Sequence, residues 1–409
     1  MWTRLAAALL VAGCAAASLA GAPQSASTNG TPFAGTVTEE PSPAPEGSAE
    51  PFLVVDRNGR VRLSWLETRT GGGHRFQMSE NQGARWSEPT TIVEGANLLA
   101  NWADVPSIFV TSNNTIAAHW LELGQTRGSY HVRMKTSPDG GRTWTPVATP
   151  HRDASASEHG FASFFEAPGA GLGLVWLDGR LIAERGREGS MSLRATTVSG
   201  GEPGEDVVVD LRVCDCCPTA AARTDRGVIV AYRDRTADEI RDISVSRFVD
   251  GRWTNATTVA DDGWQINACP VNGPAIAASG RAVAVAWFTM AGHKPRARVA
   301  FSSDDGETFA APIEINAGTT QGRRGLVMLD ADRVLVSSID RVGDGAEIVV
   351  REVRRDGRMS QPVTVAATTP ERTAGFPRMV ASGRRVWFAW TETRPGAASR
   401  VRVATVRTR

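Results

Sequence analysis

A chain of 409 residues with 41% hydrophobic and 22% charged side chains can bury a large core, and its formal net charge of +1 excludes the electrostatic footprint of a nucleic-acid-binding protein. Arginine supplies almost all of the positive charge, Lys135 and Lys294 being the only lysines, and its planar fork suits carboxylate ligands.

The chain opens with Met1-Trp2-Thr3-Arg4 and a short apolar run from Leu5 to Gly13, a charged start and hydrophobic stretch too short to span a membrane. Leu10-Val11-Ala12-Gly13-Cys14 resembles the lipobox of bacterial lipoproteins. That resemblance implies a signal peptide over residues 1–13, a diacylated Cys14 and an exported lipoprotein of the cell envelope, with the outer membrane and its periplasmic face expected because no aspartate follows the cysteine. Residues 14–48 are rich in Ala, Ser, Pro, Gly and Thr and read as a flexible tether. Within it, the strand-like Phe33-Ala34-Gly35-Thr36-Val37-Thr38 is a candidate partner for an unpaired strand elsewhere.

From residue 49 onward short β-branched runs alternate with turn residues, and the class is all-β. One word recurs: an apolar run, an aromatic residue, and an acid or its substitute two positions on. It is centred on Trp65, Trp120, Trp176, Tyr232, Trp287, Ser338 and Trp390, at spacings of 51 to 56 residues. Seven copies at that period predict a seven-bladed β-propeller of four-stranded antiparallel blades over residues 49–409. The last unit holds only three strands, so the Phe33–Thr38 segment is expected to complete it.

A second word, Ser-x-Asp-x-Gly-x-Thr-aromatic, is complete at Ser137–Trp144 and Ser302–Phe309 and nearly so at Ser79–Trp86. Its acid caps turn amides, its glycine takes a positive φ and its aromatic plugs the gap between strands. These words resemble the Asp-box, or BNR, repeats of bacterial sialidases and related propellers. In that family they mark the turn between the third and fourth strands, away from the ligand face, and are structural. Catalytic sialidase propellers have six blades, which is the alternative count here, and the Arg-Ile-Pro motif that begins their catalytic domain is absent.

In a propeller blade the inner strand begins on the face where the second strand ends, so loops at those points surround one mouth of the central channel. Asp104, Glu158, His159, Asn272, Arg323, Arg324 and Arg378 fall there, with the stretch from Cys214 to Arg235. An arginine-rich mouth suits a glycan or another anionic small ligand. The sialidase resemblance implies an exo-sialidase type of glycoside hydrolase, with Arg324, Arg378 and Arg233 or Arg235 as the clamp on a substrate carboxylate. It further implies Tyr232 as nucleophile with Glu239 as its base and Asp104 as the acid. Against those roles, Tyr232 fills the slot that other blades give to tryptophan, and its neighbouring acid belongs to the repeat. His159 and Asn272 complete the expected ligand set.

Cys214, Cys216, Cys217 and Cys269 are outside both words, and neighbouring blades bring them to adjoining loops. An oxidising envelope favours at least one disulfide among them, and a thiolate site for copper or zinc is the alternative. Three functions stand: a monomeric glycan-binding or glycan-hydrolysing propeller, a cysteine-rich metal-binding or assembly protein, and a non-catalytic scaffold for protein partners.

Overall fold

The apolar runs of the sevenfold word are the second strands of seven antiparallel sheets in the computed structural model, which describes residues 33, 35–83, 85–167 and 171–408. The expected signal peptide and Cys14 lie outside the described residues. Val61–Thr68, Ile116–Leu123, Gly171–Asp178, Gly227–Arg233, Ala282–Thr289, Arg333–Val342 and Arg385–Glu392 each pair with a strand on either side. These strands are buried on both faces because each sheet is covered by the blade before and the blade after it. Gly227–Arg233 and Ala282–Thr289 are buried at every position, which is why they read as unbroken apolar runs rather than as alternation.

Blades 1, 5, 6 and 7 have four strands, and blades 3 and 4 add a short fifth. Blade 2 has three, its fourth reduced to a bridge in which Met134 and Ala148 exchange two backbone hydrogen bonds of 2.9 Å. The inner strands, Ser48–Val55, Ser107–Val110, His159–Ala167, Ala220–Arg223, Ala275–Ser279, Thr320–Asp330 and Arg378–Ser382, contact one another in sequence around the axis. There is no single core. Among the described residues the larger apolar clusters lie one at each junction between neighbouring blades, such as Leu63 and Trp65 against Trp387 and Val403 between blades 1 and 7.

Thr38–Glu40 pairs with the last strand, Arg400–Arg407, in the register Thr38 to Thr405 and Glu40 to Val403, so blade 7 takes strands from both ends of the chain. The Gly35 amide donates to the Arg407 carbonyl at 3.1 Å, and Phe33 is buried between blades 6 and 7. The two complete Ser-x-Asp-x-Gly-x-Thr words form identical turns after third strands. Asp139 accepts from the Ser137 hydroxyl at 2.9 Å, the Thr143 amide at 2.9 Å and its hydroxyl at 2.7 Å, and Asp304 does the same with Ser302 and Thr308. In Asp139 the Thr143 bonds come first in holding the carboxyl down to about 2, and Asp304 also sits at about 2 against the effect of burial.

Candidate functional site

The inner-strand side of five neighbouring blades encloses a cavity of about 210 Å³. Its wall comes from blade 1 (Phe52), blade 2 (Asp104), blade 3 (Phe161, Phe164), blade 4 (Pro218) and blade 7 (Arg378). It is smaller than the 300–1,000 Å³ usual for a drug-sized ligand and suits one end of a larger molecule.

The backbone at the mouth is irregular. Glu50, Phe161, Val271 and Arg323 adopt left-handed φ of 55°, 51°, 47° and 56°, each where the chain enters an inner strand. The register of the first blade shifts between Ala49 and Phe52, around Glu50. A bulge re-aims side chains, and left-handed backbone at non-glycine residues persists only where the surroundings enforce it.

Glu50 and Asp104 are both buried and both carry a carboxylate oxygen with no hydrogen-bond partner among the described residues. Burial pushes Asp104 up to about 7; the Phe161 amide opposes this and the Glu158 charge reinforces it. Burial and the charge of Asp104 push Glu50 up to about 8, with the Asn101 amide and Arg378 opposing. A β-carbon at Gly160 would lie 2.0 Å from Asp104 Oδ2, so only glycine lets this carboxyl occupy its place. Arg378 stacks over Phe52 at 4.9 Å, its Nε has no hydrogen-bond partner among the described residues, and burial pushes its guanidinium down to about 10. Tyr130 lies beside this group; burial and then the charges of Asp104 and Glu158 raise its phenol. Glu158 stands at the exposed rim, where partial desolvation of its carboxyl and the Asp215 charge raise it. The arrangement can place a cation and proton-carrying carboxyls around a polar ligand.

Of the arginines expected as a clamp, Arg378 alone lines this cavity. Arg233 is buried and gives its guanidinium to backbone carbonyls, those of Asn272 at 2.7 and 3.0 Å, Arg241 at 2.6 Å and Phe288 at 2.8 Å, while stacking on Trp264 at 4.8 Å. It fastens blade 4 to blade 5. Arg235 pairs with Glu239 at 2.7 Å and Asp215 at 3.0 Å. Arg324 is buried away from the cavity, bonded to Thr320, with Nε and Nη1 unpartnered. Asn272 accepts from the Arg323 amide at 2.8 Å and joins blades 5 and 6.

Tyr232 and Glu239 are not brought together. The Tyr232 hydroxyl donates to Asp210 at 2.7 Å, and burial followed by the Asp210 charge raises it, which is the opposite of an activated nucleophile. Glu239 is held by Arg235 and Arg241, and its pairing lowers it. His159 lies at 2.9 Å from Asp153 and 3.7 Å from Asp178 and stacks with His151 and His131.

Among the described residues Cys214, Cys216, Cys217 and Cys269 stand with their sulfurs unbonded to one another. Cys214 Sγ is 3.5 Å from Cys217 Sγ and 4.0 Å from Cys216 Sγ, and the thiol of Cys269 interacts with that of Cys216. Sequence reasoning passed over Glu50, Tyr130, His131 and His151. Tyr130 is one of two tyrosines in the chain, and His131, His151 and His159 are half of its six histidines, a clustering that was available as a signal. Glu50 gave none, because its inward turn depends on the bulge.

The fold and the cavity define a seven-bladed propeller with a polar channel mouth, and comparison with known proteins adds the following. No protein-family model matches the chain, and no curated protein matches it. Among solved structures, an ulvan lyase of polysaccharide lyase family PL25 superposes with a TM-score of 0.55 at 10% identity, covering 89% of this chain and 95% of that one. A protein of unknown function from Dyadobacter fermentans superposes at 0.52 with 14% identity, covering 92% and 99%. A leech intramolecular trans-sialidase gives 0.47 at 11% identity, covering 92% of this chain and 70% of that one. At these identities the likeness is one of fold.

Proposed function

We propose that this propeller binds an acidic glycan at its channel mouth and transfers protons to or from it. The observation that carries the reading is Arg378 and Asp104 together in the cavity wall, with the buried carboxyl of Glu50 beside them; burial raises Asp104 to about 7 and Glu50 to about 8. A neutral Glu50 leaves the charge of Arg378 uncompensated, and a buried guanidinium without its counter-ion favours a ligand carboxylate. Asp104, poised at about 7, matches the requirement for a general acid or base at physiological pH. The ulvan lyase of like fold acts on a polysaccharide, which supports a glycan as the class of ligand.

The test is a panel of sialosides, uronate-bearing polysaccharides and neutral arabinans, scored for binding and turnover with the full chain. Arg378→Met is expected to weaken acidic ligands about 100-fold and neutral ones little, and Asp104→Asn to abolish turnover while binding persists. Unchanged binding and turnover of every glycan in both variants overturns the reading.

We further propose that Cys14 is lipidated and holds the propeller at the cell envelope, on the strength of the apolar run ending in Leu10-Val11-Ala12-Gly13-Cys14. Labelling cells with a radioactive fatty acid should mark the wild type and not Cys14→Ala; equal labelling of both rejects the anchor.

A further inference from the structure

Three groups bring metal-ligating atoms together among the described residues: the cysteines Cys214, Cys216 and Cys217, the histidines His131, His151 and His159, and Asp153, His159 and Asp178, of which Asp178 is already paired with Arg180 at 2.7 Å. His131, His151 and His159 lie close together, but the rings of His151 and His159 are parallel to within 6° at a centroid distance of 3.8 Å. An imidazole lone pair lies in the plane of its ring. Two parallel planes that far apart share no point for an ion, so the stack fits packed rings. Burial first, and then the neighbouring His159, pushes His151 down to about 3.

The cysteine cluster has the geometry the histidines lack. We propose that Cys214, Cys216, Cys217 and Cys269 bind one closed-shell thiophilic ion, zinc(II) or copper(I), which ties the loop entering blade 4 to the loop entering blade 5. A tetrahedral zinc with sulfurs at about 2.3 Å sets neighbouring sulfurs about 3.8 Å apart. The separations of 3.5 and 4.0 Å bracket that figure, whereas a disulfide requires about 2.05 Å. Cys214, Cys216 and Cys217, from one tight turn, have their sulfurs within 4.8 Å of one another, and Cys269, from the loop entering blade 5, lies outside that trio and has to close onto the ion as the fourth ligand.

The surroundings are those of a thiolate centre. Arg241 Nη1 donates to Cys214 Sγ at 3.3 Å and the Asn272 amide to Cys217 Sγ at 3.4 Å. Four thiolates around zinc leave two negative charges, and the Arg241 and Arg233 guanidinium groups stand beside Cys214 to offset them. N–H donors to metal-bound sulfur orient the ligands and tune the ion. The turn is itself fixed: the Cys214 amide donates to the Arg233 carbonyl at 3.0 Å, and Arg233 is locked by its carbonyl partners in blade 5. Pro218, next to Cys217, lines the cavity, so the ion would hold that wall in place. This site stands independently of the glycan reading, since none of its four ligands lines the cavity.

The experiment uses the full chain purified anaerobically under reducing conditions. Elemental analysis should find one equivalent of zinc or copper per chain. X-ray absorption should give an all-sulfur shell, four sulfurs at about 2.3 Å for zinc and a shell of lower coordination number for copper(I). Removing the ion with a chelator should make four further thiols reactive. Cys269→Ala, at an exposed position that leaves the core intact, and Cys216→Ser should each lower ion affinity by about tenfold or more. The proposal is overturned if the reduced chain holds neither ion and takes up neither when each is supplied. It is also overturned if the Cys216→Ser, Cys269→Ala double variant retains full occupancy, or if the native protein carries these cysteines as two disulfides.

Discussion

A carboxyl that is buried beside another carboxyl and short of hydrogen-bond donors favours its neutral form, and Asp104 and Glu50 meet both conditions. Their folded values of about 7 and about 8 lie above the unfolded ones, so their contribution is fully present in acid and is lost as pH rises through the folded values. Histidines work in the other direction. Burial depresses His119 and His151 to about 3, so their contribution is present above pH about 6.5 and fades as pH falls. Between pH 7 and 8, where unfolded histidines are already largely neutral, the carboxyl pair dominates. Thermal or urea unfolding of the wild type should therefore show stability declining by about 1 to 2 kcal/mol across that window. The Glu50→Gln, Asp104→Asn double variant should be nearly flat there. A slope equal in the two proteins would show that these carboxyls ionise in the folded state as they do in water.

The repeated word is legible because it answers a local need of the second strand. Residues two apart on a strand share a face, and a buried indole N–H requires an acceptor. Trp120 Nε1 donates to Glu122 at 3.0 Å and Trp176 Nε1 to Asp178 at 2.9 Å, so in blades 2 and 3 the acid of the word serves its tryptophan, whereas Trp287 Nε1 finds Asp262 at 2.7 Å and Glu67 turns to Gln77. The same chemistry explains Tyr232, whose hydroxyl finds Asp210 instead. The mouth was less legible. Arg233 ends the second strand of blade 4 and Arg378 begins the inner strand of blade 7; the first reaches the carbonyls of Asn272 and Phe288 and the second lines the cavity. What separates them is strand position, since the inner strand borders the cavity while the end of the second strand packs against the next blade, and alternating polarity does not say which side chain reaches the cavity. The cysteines were legible as a cluster, since no repeat accounts for them, but which of their sulfurs come together needed distances.

Propeller blades are stabilised chiefly against their neighbours, so the ring is only as sound as its closure. Here Thr38–Glu40 supplies the outer strand of blade 7, with Thr405 Oγ1 donating to Glu40 Oε1 at 2.8 Å and Arg402 pairing with Glu39, while Phe33 enters the junction of blades 6 and 7. Without this segment the strand Arg400–Arg407 becomes an open edge, with unpaired amides and carbonyls ready to recruit another chain. Arg378 lies on the inner strand of the same blade, so loosening the closure also reaches the channel wall. A chain lacking residues 33–40 should melt several degrees lower, by the loss of about 2 to 4 kcal/mol for Phe33 and its strand. It should also self-associate with rising concentration, seen as a growing particle mass in light scattering. A truncated chain that stays monomeric with an unchanged melting point would mean that the blade-to-blade cores hold the ring shut without their N-terminal strand.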